Sequence, residues 1–333
     1  MPHRRLTRVK SALLDRFWAP LASAHLLRTI RQIRPEVIWA IPHNWSILPL
    51  GSVLPKTGIG FHVTMQDYVD VHGQAKKFGS AQCRRMAESA DLLYAAATTR
   101  DATSHPMIED LQKRTGAEAA QMLHAGLEEQ DFWFLESKDA SHPIEIRIAH
   151  AGTILKQEEF ALFVKALAQA RPVLPLPISL HLFGAHSYAT SRWFDPSWMH
   201  EHGNLPEEKL LDALRQCTWG FAPMELTDHD PRYNRFSFPT KFIAYLTAGL
   251  PVITLAHQDS SMARMAATYK VGLLSHSTDA SNLSEQLSGA LAIPMPRGKY
   301  RAEIIRCART EFDANRMRHE LRGCFSRASS AKS

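Results

Sequence analysis

The sequence predicts an α/β protein built on two parallel sheets, and three observations carry that expectation. Short apolar runs alternate with amphipathic stretches, the alternation restarts after a polar stretch near residue 140, and 333 residues exceed what one hydrophobic core usually organises. A composition of 45% hydrophobic, 22% charged and 9% aromatic residues excludes a disordered, collagen-like or coiled-coil chain. No run approaches the roughly 20 apolar residues of a spanning helix. The start, Met1-Pro2-His3-Arg4-Arg5, has no apolar stretch behind it of the kind that marks a secretory leader. Cys83, Cys217, Cys307 and Cys324 lie far apart with no CxxC or Cys/His ligand spacing. Zinc-module and disulfide-framework readings therefore fall away, and a reducing cytoplasm is the expected setting.

Residues 11–33 read as one or two helices, because Leu13, Leu14, Phe17, Trp18, Leu21, Leu26, Leu27 and Ile30 form an apolar stripe among basic positions. Strands are expected at 37–41, 60–65, 92–97 and 122–124, with helices between them that make the sheet parallel. The polar stretch 136–142, ended by Pro143, has linker composition. Beyond it, strands are expected at 144–149, 179–183, 219–222 and 252–255. Helices fit at 158–170, where Phe160, Phe163, Val164 and Leu167 recur at helical spacing, and at 206–216, with Leu210, Leu211 and Leu214. After Pro294 and Pro296, helical segments at 300–310 and 315–327 lead into a Ser/Ala/Lys tail. The expected division is a first domain at 1–140, a second at 141–298, and a helical part at 299–333 that packs back on the first.

Lys plus Arg exceeds Asp plus Glu by 39 − 33 = 6, and much of the excess lies in the first 35 residues. There Arg4, Arg5, Arg8, Lys10, Arg16, Arg28, Arg31 and Arg34 meet one acid, Asp15. Two readings stand: peripheral contact with an anionic membrane surface, or a stripe packed on the sheet with its arginines in solvent. Nucleic acid is not an expected partner, since the charge does not continue along the chain and no recognised binding module accompanies it.

The most informative segment runs from Phe236 to Ile253. Pro239 and Thr240 sit where a helix should begin, Phe242, Tyr245 and Leu246 make its buried face, Gly249 supplies a left-handed stop, and Pro251 leads into a buried strand. The start of this helix offers backbone N–H groups, the Ser237 and Thr240 hydroxyls and the Lys241 ammonium, a set suited to a diphosphate. An ordinary capped helix with a surface lysine is the equal alternative.

Taken with its upstream motifs, this segment resembles the GT-B glycosyltransferases, in particular the retaining family that uses nucleotide-sugar donors. Phe238-Pro239-Thr240-Lys241 through Gly249-Leu250-Pro251-Val252-Ile253 is similar to that family's signature. His150-Ala151-Gly152-Thr153-Ile154-Leu155-Lys156 is similar to its glycine turn after the first donor-domain strand, and Leu182-Phe183-Gly184 to its next strand end. His202-Gly203-Asn204-Leu205-Pro206 is similar to the short strand whose backbone faces the base. The match spans about residues 144–290. Over 35–135 it is one of pattern, with His124-Ala125-Gly126-Leu127 near the end of the acceptor domain.

The resemblance implies two Rossmann-like domains facing a cleft, and transfer of a sugar from a nucleotide-diphosphate donor to a glycan, lipid-linked or small-molecule acceptor. It implies no metal or other cofactor, with Lys156, Lys241 and helix amides stabilising the departing diphosphate. It implies donor contacts from Gly152, Thr153, Gly184, Gly203, Leu205, Ser237, Pro239 and Thr240, and an orienting role for Asp67, which stands in the place of the family's His-Asp pair. From the residues alone Asp67 is equally a cap, and His43, His62 and His124 read as satisfied core or rim histidines. The sequence departs from the family in three ways. Its paired glutamates are replaced by Phe236 and Ala244, with Glu225, Asp228 and Asp230 as candidate replacements; its basic residue after the glycine turn is Thr153; and its opening strand-loop-helix units are missing, so an incomplete first domain is expected. A catalytically degenerate or partner-binding relative and a nucleotide-sugar epimerase are the competing readings.

Overall fold

The computed structural model describes residues 13–67, 80–118, 120–137, 142–227 and 231–331. Arg4, Arg5, Arg8 and Lys10, most of the 136–142 stretch, and Asp228 and Asp230 lie outside the described residues.

In chain order the elements are α1 (Ala19–Ile33), β1 (Ile38–Ala40), α2 (Ile47–Val53), β2 (Phe61–Met65), α3 (Ser80–Ala96), β3 (Thr99–Ala102), α4 (His105–Thr115), β4 (Gln121–Met122) and α5 (Glu129–Glu136). There follow β5 (Ile146–Ala151), α6 (Gln157–Ala170), β6 (Ile178–Phe183), β7 (Met199–Glu201), α7 (Glu207–Arg215), β8 (Trp219–Pro223), α8 (Pro231–Phe236) and α9 (Thr240–Thr247). The chain continues with β9 (Val252–Leu255), α10 (Ser261–Tyr269), β10 (Gly272–Ser275), α11 (Ala280–Leu291), α12 (Pro296–Glu311) and α13 (Ala314–Ser330). Two compact units result. The first gathers the described residues of 1–124, 230–238 and 316–333, and the second those of 125–229 and 239–315.

In the first unit four parallel strands lie in the order β1-β2-β3-β4, in register at Ile38 with Phe61, His62 with Thr99 and Asp101 with Gln121. β2 is buried along its length, as a strand between parallel neighbours must be. Helix α13 lies so close to the start of β2 that a Cβ at Gly60 would stand 1.8 Å from the Ala328 carbonyl oxygen. Beneath it His62 Nε2 is 2.8 Å from Asp101 Oδ2 and Nδ1 is 3.0 Å from Thr99 Oγ1, whose hydroxyl donates to the Cys324 carbonyl. Burial pushes His62 toward neutrality, but the hydrogen bonds and charges of Asp101 and Cys324 outweigh it, and its pKa rises to about 9.

Two expectations for this unit need correction. Residues 92–97 are the last turns of α3 and not a strand; β3 follows at Thr99–Ala102. A short apolar run carries no period of its own, and Leu93, Tyr94 and Ala97 are buried as one helix face and its exit. The apolar stripe expected over residues 11–33 is only partly covered: Ile30 is buried, whereas Leu13, Phe17, Trp18 and Leu21 are exposed, Leu21 to 71%.

The second unit carries six parallel strands in the order β10-β9-β8-β5-β6-β7. The chain winds outward from β5 through β6 to β7, returns to β8 beside β5, and winds outward again. One face packs Ile148, Leu180, Phe221 and Ile253 against Phe160, Phe163 and Leu167 of α6 and Leu283 and Leu287 of α11. At its centre the Phe163 and Phe221 rings stack at 3.6 Å. The short strand expected at 202–206 lies instead at Met199–Glu201, and 202–206 is the loop after it. β10, α10 and α11 were not among the expected elements, although Met262, Met265, Ala266 and Tyr269 of α10 and Leu283, Leu287 and Leu291 of α11 recur at helical spacing.

Candidate functional site

In a doubly wound sheet, connections leave the two innermost strands in opposite directions, and the C-terminal strand ends there frame a crevice. Here those strands are β5 and β8. The β5 alternation places Ile146, Ile148 and His150 on the core face, so a buried imidazole tops the aromatic core, edge-on to Phe160 at 5.0 Å. His150 Nδ1 lies 3.2 Å from the Phe221 carbonyl oxygen. A carbonyl only accepts, so Nδ1 carries the hydrogen and Nε2 is left as an acceptor. Lys241 Nζ donates to it at 3.2 Å. Burial, followed by the Lys241 charge, holds His150 well below the ordinary histidine pKa. Burial also brings Lys241 down to about 8. This pair was missed in the sequence; the signal available was a histidine at a core-facing strand position directly before a glycine turn.

Tyr245 of α9 fixes the same two strand ends. Its hydroxyl accepts from the Ala151 amide at 2.9 Å and donates to the Phe221 carbonyl at 3.0 Å. The ring lies flat enough on β8 that a Cβ at Gly220 would stand 2.4 Å from it. Thus α9, which starts at Thr240 after Pro239 in an extended conformation, presents its first-turn amides and Lys241 at the β5 and β8 ends. Thr240 is exposed there and Pro239 half-buried.

Gly152 turns the chain out of β5 with φ of +84°, a conformation that favours glycine. Its amide donates to the Phe183 carbonyl, and a Cβ at Gly184 would meet the Gly152 carbonyl oxygen at 3.0 Å, so the loops after β5 and β6 touch. Thr153 Oγ1 lies 3.3 Å from His186 Nδ1, and the Ile154 amide donates to the Tyr188 hydroxyl. Lys156, at the end of this loop, donates to Glu225 Oε2 at 2.5 Å; their side chains are 26% and 13% exposed. Glu225 sits in the loop after β8, which buried Glu159 of α6 holds by accepting the Leu226 amide.

Gly203 has φ of +70° and its carbonyl accepts from the Gly184 amide at 2.9 Å; Leu205 is half-buried. A side-chain chain anchors this loop. His202 Nε2 lies 2.8 Å from His181 Nδ1, with ring centroids 5.1 Å apart and planes 12° apart. That centroid distance is 2.8 Å plus about two ring radii, so the imidazoles are coplanar and end-on, joined by one in-line N–H···N bond. His181 Nε2 in turn lies 2.9 Å from Ser179 Oγ.

The two remaining sequence candidates belong to the first unit. Asp67 pairs with His43, Oδ2 to Nδ1 at 3.1 Å, both side chains exposed. Ser237 is half-buried in the segment that follows α8. Phe236, where the resembled family has a glutamate, is buried, and its carbonyl accepts from the Ser104 hydroxyl at 2.6 Å. Within the second unit the structure thus brings together Gly152, Thr153, Lys156, Gly184, Gly203, Glu225 and Lys241 around the ends of β5, β6 and β8. Among the described residues no group of three or more His, Cys, Asp or Glu is placed to hold a metal ion, and no helix is long and apolar enough to cross a membrane.

Residues 158–290 match the family described as glucosyltransferase 3-like, C-terminal domain. The fold is shared with sucrose-phosphate synthase from Thermosynechococcus elongatus, with 15% identity, a TM-score of 0.67, and coverage of 94% of this chain and 78% of that one. It is shared with α,α-trehalose 6-phosphate synthase from Burkholderia multivorans, with 12% identity, a TM-score of 0.65, and coverage of 93% and 74%. It is also shared with TarM from S. aureus, solved with fondaparinux, α-GlcNAc-glycerol and UDP, with 7% identity, a TM-score of 0.63, and coverage of 90% and 58%. The architecture is that of the GT-B glycosyltransferases. No curated protein sequence is significantly similar to the chain.

Proposed function

We propose that the chain is a glycosyltransferase whose second unit binds a nucleotide-diphosphate sugar at the β5 and β8 ends and whose product is a glycan, a lipid-linked sugar or a glycosylated small molecule. The observation that carries this reading is the Lys241 ammonium, held at the strand switch point by an acceptor-only imidazole nitrogen and flanked by the first-turn amides of α9. Cleavage of the sugar–phosphate bond leaves negative charge on the diphosphate. A preorganised ammonium and helix amides stabilise that charge in the transition state more than in the ground state. Lys156 contributes from the opposite loop while Glu225 orients it, and the Glu225 carboxylate accepts a donor hydroxyl. Glycine at 152 and 184 lets backbone approach the phosphates closely. This chemistry requires no metal. Asp67 is proposed to orient the acceptor or the sugar.

We further propose a place at the inner membrane face, in surface polysaccharide or glycoconjugate synthesis. Exposed Leu13, Phe17 and Leu21 stand beside Arg16, Arg28 and Arg31, a pairing of apolar and basic groups that suits anionic lipid. A second reading keeps the cradle and loses turnover, favoured by Phe236 and Ala244 in place of the resembled family's glutamates. Calorimetric titration of the full chain with UDP, GDP, ADP, TDP and CMP tests the donor site. Selective binding of one diphosphate, weakened by Lys241→Ala more than binding of the bare nucleoside, is expected. Absence of binding by folded protein would refute it, and binding without sugar transfer to any acceptor would select the second reading.

A further inference from the structure

At the other end of the second sheet, where β5 and β8 begin, lies a cavity of about 410 Å³. Six residues of β5 separate it from the loops described above, about 17–20 Å of extended chain. Its polar lining includes Arg147 at the start of β5, Arg215 at the end of α7, Arg297 in the first turn of α12, one acid, Glu145, and also His142, Gln216 and Thr218. Pro143, Ile144 and Met295 supply an apolar wall. Three guanidiniums and one carboxylate line the cavity itself, with Asp131 and Asp212 beside Arg215 just outside the lining.

The arginines differ in what their donors already do. Arg297 is committed to structure: Nε and Nη2 donate to the carbonyls of Arg215 and Cys217, closing the C-terminal end of α7. Arg147 spends only Nε, on Glu145 at 2.7 Å, and neither Nη nitrogen has an acceptor among the described residues. Arg215 lies over the Phe134 ring at 4.3 Å, with Asp212 at 3.4 Å and Asp131 at 3.9 Å, yet its buried Nε has no acceptor. Helix α12 adds the first-turn amides of Arg297 and Gly298, and its first turn contains no acid to occupy them.

We infer that this cavity is a binding site for the phosphate group of a phosphorylated small molecule, separate from the site at the opposite strand ends. Arg147 and Arg215 hold the phosphate oxygens together with the start of α12, and the organic part lies on Pro143, Ile144 and Met295. The volume falls in the range of about 300–1,000 Å³ that small-molecule sites occupy and exceeds what a bare ion fills. Guanidinium forks match phosphate oxygens in geometry as well as charge.

Calorimetric titration of the full chain with glucose 6-phosphate and, separately, with inorganic phosphate tests the site. Glucose 6-phosphate is expected to bind, and more tightly than inorganic phosphate. Arg147→Gln should weaken it about tenfold, the loss of one charge-assisted contact. Gly298→Asp is the second variant. It places an acid in the first turn of a helix, where the fold tolerates it well, and a Cβ there meets only Met295 at 3.7 Å. Its repulsion should weaken binding at least as much, while Lys241→Ala should leave it unchanged. No binding by the wild type, equal affinity for the two phosphates, indifference to both cavity variants, or loss on Lys241→Ala would each overturn the inference.

Discussion

Lys241 gives the donor-site reading a quantitative handle, because its ammonium is charged below a pKa of about 8 and a diphosphate binds the charged form. Below pH 8 the proton is already in place, and binding is independent of this group. Above it, each binding event must take up a proton, and Kd grows as one plus ten to the power of pH minus 8. Between pH 7 and pH 9 the dissociation constant of UDP, or of whichever nucleotide binds, should therefore rise about tenfold in the limit where neutral lysine contributes nothing. Calorimetry in two buffers of different ionisation enthalpy reads the same effect directly, as uptake of about half a proton per site at pH 8. Lys241→Met should bind more weakly at pH 7 and show no slope above pH 8. A flat profile for the wild type from pH 7 to 9.5, or a slope that survives in Lys241→Met, would refute the placement of the diphosphate on this ammonium.

The burial that lowers Lys241 makes its charge a burden on the folded state. Lys241→Met should stabilise the protein by up to about 3 kcal/mol below pH 8, a gain that vanishes above about pH 10.5, where lysine is neutral in both states; thermal unfolding across that range checks it. His62 has the opposite sign. With a folded pKa of about 9 against 6.5, it contributes about 3 kcal/mol that is fully present below pH 6.5 and lost as pH rises through 9. The unfolding temperature of the first unit should fall over that window in the wild type and not in His62→Leu. Gly220→Ala would drive a methyl group into the Tyr245 ring and is expected to destabilise by several kcal/mol in urea unfolding, whereas Tyr245→Phe, which strands the Ala151 amide while the Phe221 carbonyl keeps His150, should cost about 1–3 kcal/mol. Anionic vesicles should sediment the full chain at low salt and lose it when exposed Leu21 becomes Glu; equal sedimentation of both proteins would remove α1 from the contact.

The second unit was legible in the sequence because its buried strands declare themselves. Val252–Leu255 is buried on both faces, Ile178–Phe183 alternates Ile178, Leu180 and Leu182 with Ser179 and His181, and α6 and α7 carry clear helical stripes between them. The same cue misled at 92–97, where an equally apolar run is the buried end of a helix. The signature from Pro239 to Ile253 located α9 and Lys241, since a proline start, a lysine and a glycine stop are local features. What sequence could not supply were pairings that depend on the strand switch. His150 meets Lys241 ninety-one residues away, and Lys156 meets Glu225 at a separation of sixty-nine, because β5 and β8 become neighbours only once the sheet reverses its winding.

Those two pairings divide the labour of the site. Lys156 is matched by a carboxylate 2.5 Å away, so it contributes geometry more than net charge. Lys241 has for its partner a neutral imidazole, which accepts one of its protons without cancelling its charge. An ammonium kept buried beside a neutral acceptor is costly in the empty protein and is relieved by an anion of matching charge. That cost is characteristic of binding sites, where stability is given up for function. Carboxylates in place of His150 would stabilise the empty fold and cancel the field that a departing diphosphate requires. Under the proposed donor-site reading, the absence of acids at Phe236 and Ala244 acts in the same direction: it leaves the ammonium uncancelled, with Glu225, already turned toward Lys156, as the carboxylate proposed to meet a hydroxyl of the donor.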